Sequence, residues 1–157
     1  MADPNFDLVA ADRWFAVETN NETWNWLYDN ASGEAGDPII NVAHASLYHW
    51  NRVGTTINRA RAASLVANVH STLGNGALAV ALARQSLELT AEAGDEAQDW
   101  DVAFAQDSLG RALSASGDPA AADQRIAARR AGDAIVEAGD KEVFDEWFAL
   151  PNGWPST

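Results

Sequence analysis

Cysteine is absent from the 157 residues, which excludes a disulfide framework and thiol chemistry. No apolar run approaches the ~18 residues of a membrane span. The opening Met1-Ala2-Asp3-Pro4-Asn5 has neither the basic nor the apolar stretch of a signal peptide. These features set the expectation of one domain, residues 1–157, in a bacterial-type cytoplasm. No segment reads as a strand. Basic residues are scarce: ten Lys and Arg against 23 Asp and Glu give a net charge of −13. A chain this acidic lacks the cationic face that phosphates need, so neither nucleic acid nor a membrane is an expected partner. Common catalytic and cofactor signatures are missing too. There is no GxSxG elbow, and Gly74-Asn75-Gly76 reads as a helix turn, not a phosphate cradle. The acids at Asp95, Glu96, Asp99 and Asp101 lack the glycine and glutamate positions of a calcium loop. We expect no cofactor and no metal.

One further absence is local. Residues 38–87 contain no Asp or Glu, yet hold Arg52, Arg59, Arg61, Arg84 and all three histidines, His44, His49 and His70. The middle of an acidic chain is therefore locally cationic.

What is present is a repeated punctuation mark. Glu-Ala-Gly-Asp occurs at 34–37, 92–95 and 137–140, and Ser-Gly-Asp-Pro at 116–119. Glycine ends a helix because it accepts a left-handed backbone. The following Asp caps the next helix by accepting its orphan N–H groups, and proline suits the first helical position. The segments between the marks are long and rich in Ala and Leu. They predict about seven helices, near residues 4–30, 38–53, 55–73, 77–93, 97–116, 119–138 and 141–149. A break is expected at Asn20-Asn21, since Asn is a poor mid-helix residue. The 38–53 segment carries an apolar stripe at three- and four-residue spacing. The tail after Leu150 holds Pro151 and Pro155 and cannot continue a helix. Short turns make neighbouring helices antiparallel.

Two predicted hairpins share a frame. One reads Ala63, Val66-Ala67, His70 and Gly74; the other reads Gln106, Leu109-Gly110, Leu113 and Gly117. Small residues at Ala67 and Gly110 allow close helix approach. This pattern resembles the tetratricopeptide repeat in its longer-helix variants, over residues 56–138. The spacing from Gly74 to Gly117 is 43 residues, against ~34 in the ordinary repeat, and Arg129 stands where that family has a small residue. The resemblance implies an all-α stack of antiparallel hairpins, a short right-handed solenoid. Residues 1–54 would form an irregular first pair, 55–138 two repeat-like pairs, 139–150 a capping helix and 151–157 a tail. A second resemblance rests on His44-Ala45-Ser46-Leu47-Tyr48-His49-Trp50, Asn58-Arg59-Ala60-Arg61 and residues 99–105. These are similar to segments of a group of small uncharacterised bacterial proteins. That group carries no function over, but it marks the His-rich stretch as a hallmark.

Candidate sites follow from this geometry. In a tetratricopeptide-like stack the first helix of each pair lines the concave face. Arg61, Ser64, Asn68 and Ser71 would share that face of one helix, and Phe104, Asp107, Arg111 and Ser114 that of another. Guanidinium groups offer paired donors to a carboxylate. The leading expectation is a binding or adaptor module that holds an anionic peptide end or a small acid through Arg61, Asn68 and Arg111. Asn58, Trp50 and Asp107 would lie nearby. The alternative is a small enzyme without a cofactor. His44 or His49 would act as acid–base group, oriented by Glu18, in a pocket walled by Trp14, Trp24 and Trp50. His44 and His49 are five positions apart, ~140° around a helix, which disfavours a shared metal. A third expectation is a homodimer through Trp26 or through Phe144, Trp147 and Phe148. Most of the seven tryptophans read as core.

Overall fold

The computed structural model describes residues 6–30 and 38–154. Over them the chain is all-α, with seven helices and no strand. They are α1 (Leu8–Asp29), α2 (Pro38–Val53), α3 (Thr56–Thr72), α4 (Gly76–Ala93), α5 (Asp99–Ala115), α6 (Ala121–Asp133) and α7 (Ala138–Ala149). Successive helices pair as hairpins, α1 with α2, α3 with α4 and α5 with α6, while α3 also packs against α1 and α5. None of these helices is long and apolar enough to cross a membrane.

The central element is α3. Every residue from Ala62 to Ser71 is buried, because α3 has neighbours on nearly every side. Small side chains at Ala60, Ala63 and Ala67 let those neighbours approach. Burial also accounts for the missing acids in this helix, since an unpaired carboxylate there would be costly. The main core gathers Leu27 from α1, Ile39 and Ala43 from α2, Leu65, Val66 and Val69 from α3, Leu82 from α4 and Trp147 from α7. A smaller cluster joins Ala103, Ile135 and Phe144.

The two hairpin turns of the shared frame close identically. Gly74 and Gly117 both take positive φ, +77° and +73°. Asn75 N donates to His70 O at 2.8 Å, and Asp118 N to Leu113 O at 2.9 Å. Gly74 N and Gly117 N each reach a carbonyl three residues back. These are paired Schellman closures, offset by the same 43 residues as the sequence frame.

Several expectations need correction. α1 is continuous through Asn20-Asn21. Their side chains bond each other at 3.4 Å, and the packing of Thr23, Trp24 and Leu27 outweighs a propensity cost of about 0.5 kcal/mol per residue. Asp95 caps no α-helix. Residues Gly94–Glu96 form one 3-10 turn, and α5 starts after Gln98, whose N–H is taken by Asp101 Oδ2 at 2.9 Å. The sixth helix ends at Asp133, short of residue 138. Ile135 leaves it to enter the smaller core, and Val136 N is held by Asp99 Oδ2 at 2.8 Å. The mark at 137–140 therefore opens α7 and separates no helices. The mark at 34–37 lies outside the described residues. Trp14, expected in the core, is 58% exposed. Trp26, expected on the outside, packs against the main core.

Candidate functional site

A pocket of about 380 Å³ opens among α1, α3, α4, α5 and α7. Its walls carry Trp24 and Tyr28 of α1, Arg61 of α3, Trp100 and Phe104 of α5, and Asp140 and Val143 of α7. Ser64 of α3 and Ser86 and Thr90 of α4 supply hydroxyl groups. Depth comes from small residues: Ala105 lines the pocket, and Ser108 Oγ donates to Ser64 O at 3.3 Å. The aromatic walls are cross-braced. The Phe104 ring meets Trp24 edge-on at 6.2 Å, Trp100 at 6.1 Å and Phe144 at 5.3 Å between centroids. Such mutual edge-to-face contacts brace the walls against one another.

Arg61 is not a free cation. Its Nε and Nη2 donate to the two oxygens of Asp101 at 2.7 and 2.9 Å, and its guanidinium lies 4.4 Å over the Trp100 ring. Only Nη1 lacks a protein partner among the described residues. Ser86 Oγ donates to Ala60 O at 2.9 Å and Thr90 Oγ1 to Ser86 O at 2.8 Å. Ser64 Oγ is buried without any partner. Burial first, and then the nearby Glu146, raise the Tyr28 phenol above its ordinary value, so it stays a protonated donor.

The expected binding residues divide. Arg61, Ser64 and Phe104 line the pocket. Asn68, Asp107 and Arg111 are fully buried and open onto no free concave surface. Arg111 grips the chain's own C-terminal segment. Its Nε donates to Asp107 Oδ2 at 2.5 Å, Nη2 to Trp147 O at 2.8 Å, and Nη1 to Leu150 O at 2.9 Å and Asn152 O at 2.8 Å. Trp147 Nε1 donates to the same Asp107 oxygen at 2.8 Å. Four of the five guanidinium N–H groups are thus taken by Asp107 and by carbonyls at and just beyond the end of α7, and the group is buried away from any peptide end. Asn58 is engaged in capping α3, taking Thr55 N at 3.1 Å. Trp50 packs beside Gly54 and lines no part of the pocket.

The histidines occupy two further places, and none of them lines the pocket. His44 Nε2 meets His70 Nε2 at 3.0 Å, and Asn75 Nδ2 approaches His70 Nδ1 at 3.3 Å. With Asn75 donating, neutral His70 carries its proton on Nε2 and points it at His44. Burial, followed by the charge His44 would carry, lowers the His70 pKa. His49 Nδ1 meets Asp12 Oδ1 at 2.7 Å, while Arg52 Nε donates to Asp12 Oδ2 at 2.7 Å. Hydrogen bonds from Arg52 and then His49 hold the Asp12 carboxyl below its ordinary value. Glu18 is exposed and bonds to neither histidine. The constellation of Glu18, His44 or His49, and Arg61 around one cavity is therefore not formed. Among the described residues no group of three or more metal-ligating side chains converges.

Asp12 was legible only through hairpin register. Ser46 Oγ donates to Ala16 O at 3.1 Å. One turn back along α1 from Ala16 is Asp12, and along α2 His49 lies one turn on from Ser46 and Arg52 nearly two. No protein-family model matches the chain, and comparisons with curated proteins and with solved structures give no match.

Proposed function

We propose that this chain is a binding module, a tetratricopeptide-like stack whose inner face holds a small molecule between α1, α3, α5 and α7. The observation that carries this reading is the preformed pocket of about 380 Å³ with braced aromatic walls and hydroxyl groups within it. Its volume lies in the range of small-ligand sites, which combine an apolar lining with a few polar groups. The matched Schellman closures at Gly74 and Gly117 support the repeat reading. The Arg61–Asp101 pair and the committed donors of Arg111 weigh against an anionic peptide end. They narrow the occupant to a small molecule with its polar end near Arg61 Nη1.

Native mass spectrometry of the gently purified protein tests the reading. We expect a retained mass in the natural chain that is lost in Val143→Trp, which plugs the mouth from a side chain already 50% exposed. Equal retention in both proteins would contradict a pocket site.

A second reading, a homodimer, is favoured by Trp14, Phe15 and Val17 of α1, which are 58%, 45% and 38% exposed. A sedimentation coefficient independent of concentration at monomer mass would exclude it.

A further inference from the structure

The pocket reading can be carried to the chemistry of its ligand, and the inference below rests on that reading. The decisive feature is where the hydroxyl protons point. Ser86 commits its proton to Ala60 O and Thr90 commits its proton to Ser86 O. Each therefore offers the pocket only lone pairs. A carboxylate, which is acceptor-only, would meet those lone pairs unfavourably. Beside them, on α3, Arg61 Nη1 is a donor without a partner among the described residues, and Ser64 Oγ, in a residue only 6% exposed, is buried with its hydrogen bonds unmade. The Arg61 charge is already matched by Asp101, and Asp140 also lines the pocket, so the wall carries an ion pair, one further carboxylate and no surplus cation. An anionic ligand would find its only cation already paired with Asp101.

We infer that the pocket takes a flat aromatic molecule without an anionic group, bearing an N–H donor next to a carbonyl, as in a carboxamide or a ring lactam. The ring stacks among Trp24, Trp100 and Phe104. The carbonyl accepts from Ser64 Oγ–H and Arg61 Nη1–H. The N–H donates to Thr90 and Ser86. Burying an apolar body while satisfying both edges of an amide is what this arrangement of committed and free protons allows.

The test is a titration followed through the indole N–H signals of Trp24 and Trp100, using 1-naphthylacetamide and 1-naphthylacetate as matched probes. The amide is expected to bind about tenfold or more tightly than the acid. Thr90→Val, which keeps the shape but removes the lone pairs, is expected to erase most of that margin. Ser64→Ala is expected to weaken the amide without lowering the unfolding temperature, since its hydroxyl has no partner to lose. An acid that binds as tightly as the amide would overturn the head-group inference while leaving the pocket reading intact. If neither probe shifts either indole signal, the pocket reading itself falls, and this inference with it.

Discussion

At the residue scale, the same side-chain types serve opposite ends in this protein, and burial decides which. Arg111 and Asp107 read from sequence as a ligand clamp. In the fold both are fully buried and hold the C-terminus of α7. Removing one partner of a buried pair strands the other charge, at about 3–5 kcal/mol. Arg111→Ala should therefore lose stability of that order in urea unfolding, or fail to fold. Lys141→Ala, whose partners Asp133 and Asp145 are exposed, should cost about 1 kcal/mol or less. Equal losses for the two would contradict the structural role of Arg111. His70 gives a pH signature. Its pKa is lowered in the folded state, so below pH ~6.5 the unfolded chain binds more protons than the folded one. Stability from this group is complete above that pH and drains away as pH falls through the unfolded value toward the folded one. His70→Gln should flatten that part of the stability–pH curve, measured by urea midpoints. Asp12, with its lowered carboxyl, acts in a separate window, losing its contribution only as pH falls below ~3.8. The residue types at these sites were visible in the sequence. Their partners were not, because Asp12 and His49 lie 37 positions apart and Arg111 and Asn152 lie 41 apart.

At the element scale, turn chemistry was the most legible signal and also the one that misled. Gly117 with Asp118 closes α5 and caps the following turn, Asp118 Oδ1 taking Ala120 N at 2.9 Å. The same Gly-Asp pair within 137–140 opens a helix, since Glu137 is the flanking residue of α7 and Gly139 falls in its first turn. What ends α6 is tertiary: Ile135 is buried beside Phe144 and Ala103, and no local residue announces it. Gly132 belongs to the same story. A methyl group there would come within 2.0 Å of a Phe144 ring carbon, whereas one at Gly139 meets nothing within 4 Å. Gly132→Ala should thus destabilise by about 1–3 kcal/mol through overpacking. Gly139→Ala should stabilise by about 0.5–1 kcal/mol through lower chain entropy. Thermal unfolding of the two variants, side by side, checks the assignment. Two changes of the same sign would refute it.

At the scale of the whole molecule, the all-α class and the order of hairpins were readable because each is a local property repeated along the chain. The pocket was only partly readable. Helical spacing put Arg61 and Ser64 on one face of α3, with Phe104 on a face of α5, and all three line the pocket. The far end of those faces is closed by α7 and residues 150–154. Gly153 lies against Ser71 and Arg111, and the Trp154 ring against Gly110. Nothing in the local sequence says where a terminal helix will dock, so the closed end and the contributions of Tyr28 and Val143 emerge only from the assembled stack. The acid-free stretch has a plain cause in α3, where burial excludes carboxylates, and so does not by itself argue for an anionic ligand.

The central claim is that the inner-face pocket binds small molecules. Its most direct test is a small-fragment screen by protein-observed NMR on the natural chain and on Val143→Trp. The account predicts hits that move Trp24, Trp100 and Phe104 signals together and vanish in the plugged variant. Hits that persist unchanged in Val143→Trp, or none at these residues, would contradict it.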